Sequence, residues 1–294
     1  MLLGILNSQA SGVSVRYVAG GESGKLTTSA DGTTWTAQTS EFGSSTIQNI
    51  TYGGGLYVAV GDSGKLSTSP DGITWTSRTS GFGGEVFISR VTFGDGLYVS
   101  VGGVGTMTTS TDGTTWTSRT SGFGTTDISG VTYGGSLYVA VGRDGTMTTS
   151  TDGTTWTSRT SGFDGTFIYS VTYGDGLYVA VGYSAKLTTS TDGTTWTSRT
   201  SGFDGDFIRD VTYGDGLYIA VGNAGKLSTS PDGITWTSRT SGFGSSEIIA
   251  ATYGNGIYIV SGESGKLRTS PDGITWTSRT SGFGSSSING LTFA

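Results

Sequence analysis

The chain contains neither cysteine nor histidine, and only 3 prolines among its 294 residues. Without cysteine the fold cannot rest on disulfides, and the redox compartment stays open. Without histidine the commonest general base and the commonest zinc ligand are missing, which weighs against much hydrolytic and metal chemistry; no metal and no cofactor are expected. Charge is scarce as well. Asp, Glu, Lys and Arg make up 13% of the residues against about 25% in an average domain, so Ser, Thr and Gly must form most of the wetted surface. The charges that exist sum to −6. Nucleic acid and anionic lipid are recognised through clustered Lys and Arg, so neither partner is expected. Long apolar runs are missing: Met1-Leu2-Leu3-Gly4-Ile5-Leu6 is too brief, and lacks the basic flank, for a signal peptide or a membrane span, and no membrane insertion is expected. No segment places apolar residues at helical spacing, which excludes a βαβ arrangement. Nothing here assigns a compartment.

What the chain has in abundance is repetition. A cassette of about forty residues is written seven times, each copy closed by a tryptophan: Trp35, Trp75, Trp116, Trp156, Trp196, Trp236 and Trp276, at intervals of 40, 41, 40, 40, 40 and 40. With 53 glycines and 33% hydrophobic residues, the composition would suit a disordered chain if the apolar positions were not periodic. Within one cassette, glycine punctuation cuts out four strand-length pieces: Ile168 to Tyr173 (A), Leu177 to Val181 (B), Lys186 to Ser190 (C) and Thr195 to Thr200 (D). Strand B is β-branched and aromatic, as suits a strand covered on both faces.

Four antiparallel strands per unit, seven times over, predict an all-β fold: a seven-bladed β-propeller. Val15 to Gly20 aligns with strand B, so the first unit lacks a strand A, whereas Ile288 to Phe293 is a strand A with nothing after it. Laying this C-terminal strand beside the first unit would close the ring and leave no open edge. One domain is therefore expected. Residues 1–12 fall outside the repeat, with Leu2 to Leu6 able to compete as an inner strand, and 13–294 form the propeller. Its blades lie at approximately 13–40 plus 288–294, 47–80, 88–121, 128–161, 168–201, 208–241 and 248–281.

Each tryptophan ends a copy of Ser-x-Asp-Gly-x-Thr-Trp, as in Ser69 to Trp75. These copies resemble the Asp-box of the BNR repeat, found in sialidases, sortilin-type receptors, photosystem II assembly factors and many phage proteins, although the usual form has one residue between Asp and Gly. The resemblance implies a C–D turn with a folding role, away from any catalytic face. The residues support that role: a turn aspartate accepts local N–H bonds, glycine permits positive φ, and tryptophan fills space between blades. Asp31, Asp71, Asp112, Asp152, Asp192, Asp232 and Asp272 are read as structural, with calcium only the minor alternative because each turn offers a single carboxylate. Burying a tryptophan removes roughly 150–250 Å² from water, so the seven are expected to dominate the core.

Sialidases grip a carboxylate with converging arginines, and here Arg78, Arg119, Arg159, Arg199, Arg239 and Arg279 each follow a tryptophan by three residues, with Gln38 in the first unit. Their identical placement on an outermost strand cannot converge on one ligand, and no Arg-Ile-Pro segment is present. A photosystem assembly role is expected to come with an export segment and a basic patch, and neither is visible.

A symmetry-breaking function must lie where the copies differ, which is in the B–C turns and the D–A loops. A meander puts both at one end, and there the sequence gathers Phe87, Phe167, Tyr169, Tyr183 and Phe207 with Arg90, Arg143, Arg209, Asp206 and Asp210. Tyr169, Tyr183, Phe167, Phe207, Arg209 and Arg143 are the candidate ligand-binding residues, with no catalytic residue assigned. For Phe87, Phe167 and Phe207 a role plugging the end of the core is the competing reading. Aromatic rings beside hydrogen-bonding groups suit sugars or a protein partner. The expected function is thus non-enzymatic recognition of a glycan or surface receptor, which the resemblance places on a phage virion or extracellular surface. A purely structural virion component, contacting other virion proteins, is the first alternative, and a sialidase-type hydrolase built on Asp206 and Asp210 is the second.

Overall fold

The computed structural model describes residues 17–294. Residues 1–16 lie outside this range, and with them the competition of Leu2 to Leu6 for an inner-strand position. Seven four-stranded antiparallel sheets follow one another around a central channel. Blade 5 runs Ile168–Gly174 (A), Leu177–Gly182 (B), Lys186–Ser190 (C) and Thr197–Thr200 (D). Strand D begins after Trp196 rather than at Thr195, because Trp196 sits in the turn and donates its Nε1–H to the Gly193 carbonyl at 3.2 Å. The ring closes as the sequence predicts: Ile288–Phe293 pairs antiparallel with Tyr17–Gly21, Val18 opposite Thr292.

The core sits between blades. Strand B of each unit is buried along its length, for example Tyr178, Val179, Ala180 and Val181, since its two faces pack against two neighbouring blades. Tyr178 also donates its hydroxyl to the carbonyl of Gly134 in the preceding blade, as Tyr138 does to Gly94 and Tyr218 to Gly174. Burial pushes the Tyr178 hydroxyl up to about 12. Gly134 must be glycine for a different reason: a Cβ there would lie 2.2 Å from the Tyr173 ring of the next blade. The strand-A aromatic of one blade thus fits where the previous blade has no side chain.

Six of the seven tryptophans are only partly buried, and Trp75 alone is buried. This corrects the expectation that they dominate the core, because the C–D turn that carries them lies at the rim. Strand B does most of that filling, aided by the phenylalanine of the repeated Ser-Gly-Phe: Phe123, Phe163, Phe203, Phe243 and Phe283 are buried, as is Phe42 of Ser40-Glu41-Phe42. The C–D turn itself is built as expected. Asp192 accepts from the backbone N–H groups of Thr194 and Thr195 at 2.8 Å each, and those bonds, Thr195 first, hold its carboxyl well below the usual carboxylate range. Gly193 adopts φ 69°.

Candidate functional site at the channel mouth

The B–C turns and D–A loops share one end of every blade, here called the upper face, where they are bonded to each other. The N–H of Tyr183 donates to the Phe167 carbonyl at 2.9 Å, and Asp62 to Thr46 and Glu263 to Glu247 repeat the contact. Each B–C turn forces a left-handed residue, such as Ser184 at φ 54°. A second left-handed residue follows it, glycine in six blades and Ala185 (φ 59°) in blade 5. In blade 3 a Cβ at that glycine, Gly105, would stand 2.2 Å from the Gly124 carbonyl of the facing loop. Blade 5 escapes the clash because its facing loop is rebuilt as Asp204-Gly205-Asp206, whose Asp206 carbonyl accepts from the Ala185 N–H at 2.8 Å.

Strand A bulges just inside this face, its register slipping between Ile168 and Ser170 in blade 5 and at the matching point in the six others. The bulge turns one residue per blade to the mouth of the channel: Gln48, Ser89, Ser129, Tyr169, Arg209, Ile249 and Asn289. With Phe87, Arg90 and Phe167 these line a cavity of about 240 Å³. Ser89 and Ser129 spend their hydroxyls on the fold, reaching carbonyls of their own blade and the next. Tyr169 and Arg209 reach neither of these carbonyls.

Instead they build a strip across blades 4 to 6. Phe167 stacks on Tyr169 with centroids 4.7 Å apart, Tyr169 meets Phe207 at 6.2 Å, and Phe207 meets Tyr183 at 4.4 Å. Two guanidinium groups cover it: Arg209 lies 4.7 Å from the Tyr169 centroid and 5.6 Å from that of Phe207, and Arg143 lies 5.7 Å from that of Phe167. Arg209 is held by Nε–H bonds to Glu247 and, at 3.3 Å, to Asn223. Arg143 is 57% exposed and 3.7 Å from Asp127. Burial raises the Tyr169 hydroxyl, Arg209 opposes the shift and Glu247 reinforces it. All six candidate residues are thus in one continuous surface. Phe167 and Phe207 are half-buried and Phe87 is 38% exposed at the channel mouth.

Asp210 does not belong to this surface, contrary to its sequence assignment, whereas Arg90 lines both the mouth cavity and the channel beneath it. They meet inside the channel, 3.5 Å apart, where Asp210 also accepts from Ser170 Oγ at 2.7 Å and from the Ala251 N–H at 3.0 Å. Asp206 pairs with Lys226 at 2.8 Å. The two aspartates are committed to different cations and form no acid pair. The repeated arginines lie flat on the neighbouring strand, as Arg199 Nε on Thr189 Oγ1 at 3.0 Å. The cavity's neutral lining, Gln48, Ser89, Ser129 and Asn289, was not singled out from sequence. Its signal is positional, one residue after the first isoleucine of each strand A.

Fold and site define a seven-bladed β-propeller with an asymmetric upper face. Residues 164–294 match the model of the DUF6242 beta propeller domain. Among solved structures, the chain is similar to YCF48 bound to D1 peptide (TM-score 0.64, 19% identity, 80% of each chain covered) and to YCF48 from Cyanidioschyzon merolae (0.62, 19%, 80% of this chain and 84% of that one). It is also similar to virginiamycin B lyase from Staphylococcus aureus (TM-score 0.71, 12% identity, 85% and 92%). At such identities the likeness is one of fold. No curated protein sequence matches the chain.

Proposed function

We propose that this propeller is a non-enzymatic recognition module that binds a segment of a partner protein across the aromatic strip at the channel mouth. The observation that carries this reading is the strip itself. Four half-exposed rings lie under two guanidinium groups at positions whose counterparts in the other blades vary in size and charge, from Gly103 and Ser129 to Ile249 and Glu263, so the repeat itself does not prescribe them. Flat aromatic surface of low conformational entropy, backed by arginine, is the chemistry of protein interface anchors. The similar fold of YCF48 accommodates a peptide, which supports a polypeptide ligand. The separation of Asp206 from Asp210 argues against a carboxylate-pair hydrolase.

A glycan is the second reading, favoured by one observation: the Phe167–Tyr169 stack faces a cavity whose far side carries the neutral amides of Gln48 and Asn289, an apolar wall opposite a polar rim. A virion or host-surface setting would follow from that reading alone. Displayed peptide libraries and a high-density glycan array, probed in parallel with the purified protein, separate the two. Peptide enrichment that disappears in Tyr183→Ala and Arg209→Ala is the expected result. A verified ligand bound normally by both variants would sink the site.

A further inference from the structure

The lower face, opposite the mouth, has an asymmetry of its own. Its C–D turns read Pro-Asp-Gly-Ile in blades 2, 6 and 7 and Thr-Asp-Gly-Thr in blades 3, 4 and 5, and all 3 prolines of the chain are in those turns. Ile73, Ile234 and Ile274 stand 45%, 43% and 48% exposed. Because blade 1 sits between blades 7 and 2, these isoleucines fall in one arc of the ring. Within the arc a groove of about 410 Å³ opens between blades 1 and 2, lined by Ala30, Asp31, Thr34, Thr36, Gln38 and Ile73 among others. Gln38 reaches Thr28 Oγ1 at 3.1 Å, where the other blades lay a longer arginine on the matching threonine; among the described residues the shorter side chain leaves the groove open.

The lower face as a whole is negative, with Asp31 lining the groove and Asp71 two residues from Ile73. The seven C–D aspartates and Asp95, Asp175 and Asp215 of the A–B turns are all exposed, and no Lys or Arg among the described residues lies in either kind of turn. Nucleic acid and anionic lipid are repelled by such a face, whereas a cationic chain is drawn to it. We propose that this groove docks a basic polypeptide segment, with an aliphatic side chain against Ile73 and lysines or arginines over the surrounding carboxylates. The proposal is independent of the mouth, and either can fail without the other.

The repeat supplies the variants that test it. Gln38→Arg installs the residue six other blades carry, and Ile73→Thr installs that of blades 3, 4 and 5, so both are expected to fold. Val104→Ser removes a comparably exposed aliphatic from the upper face, using the serine found in blades 1, 2, 5 and 7. Calorimetric titration of the full chain with a peptide of alternating lysine and leucine should show binding that weakens about tenfold or more between low and high salt. A peptide of alternating glutamate and leucine should not bind. Gln38→Arg and Ile73→Thr should each lose about tenfold in affinity, and Val104→Ser should match the wild type. The proposal is overturned if the lysine peptide fails to bind the wild type, if the glutamate peptide binds as well, or if both groove variants bind it undiminished.

Discussion

The two ends of the propeller are made of the same residues to different ends. At the lower end the seven C–D turns keep Ser-x-Asp-Gly-x-Thr-Trp and vary only at the two x positions, each with an aspartate accepting two N–H groups and a glycine at positive φ. At the upper end the turns share a backbone, the left-handed residue and the loop contact, yet their side chains range from glycine to tyrosine. The lower turns are uniform because the side chains themselves make the bonds. The upper turns are held by backbone groups, as Tyr183 N–H to Phe167 carbonyl shows, which frees the side chains for other use.

The sharpest way to break this contrast is to put a side chain where the scaffold has none. Gly134→Ala drives a Cβ into the Tyr173 ring and is expected to destabilise by about 3 kcal/mol, read as a shift in denaturant midpoint. Gly176→Ser should cost well under about 1 kcal/mol, since Gly176 faces open space and Ser136 already occupies the matching site in blade 4 at φ 64°.

Next in size is the tyrosine clasp between blades. Tyr178→Phe leaves the Gly134 carbonyl without its hydroxyl donor and should cost about 1–2 kcal/mol in the same assay. Tyr57, Tyr98 and Tyr178 are raised to about 12. A raised folded value means stability that is complete below the ordinary tyrosine value of 10.0 and lost as pH climbs through about 12. Alkaline unfolding should therefore set in above pH 10 and be milder in Tyr178→Phe.

Smaller still is the acid limb. The C–D carboxyls are depressed, Asp232 and Asp272 to about 2, so their contribution is present above the ordinary value of 3.8 and fades as pH falls through about 2. Each is exposed and screened, so the loss accumulates over seven turns. Asp152→Ala should lower the melting temperature while leaving ligand affinity unchanged. The least effect on stability is expected at the mouth: Tyr183→Ala should stay within about 0.5 kcal/mol of the wild type while losing ligand. A large drop in melting temperature for Tyr183→Ala would make the strip part of the scaffold.

The candidate surface was legible because Tyr169, Tyr183, Phe207 and Arg209 depart from their counterparts, and departure from a repeat can be read without coordinates. Asp210 departs too, yet lies inside the channel rather than on that surface: variation marks a residue without giving its depth. The phenylalanines show the converse. Phe163 and Phe203 are invariant in pattern and buried, whereas Phe167 and Phe207, four residues on, are not, and alternation cannot follow a loop that turns between them.

The sequence by itself determined the number of blades, the four strands in each and the closure by Ile288–Phe293, because strand periodicity and glycine turns are local and the forty-residue period repeats them. Only the tertiary structure decided which side chains meet. A propeller sets residues one repeat apart side by side, as Tyr169 and Arg209, and brings Arg90 across the channel to Asp210, 120 positions away. Such contacts depend on strand bulges and on the tilt of each blade against the next, and these are settled only when the whole ring packs.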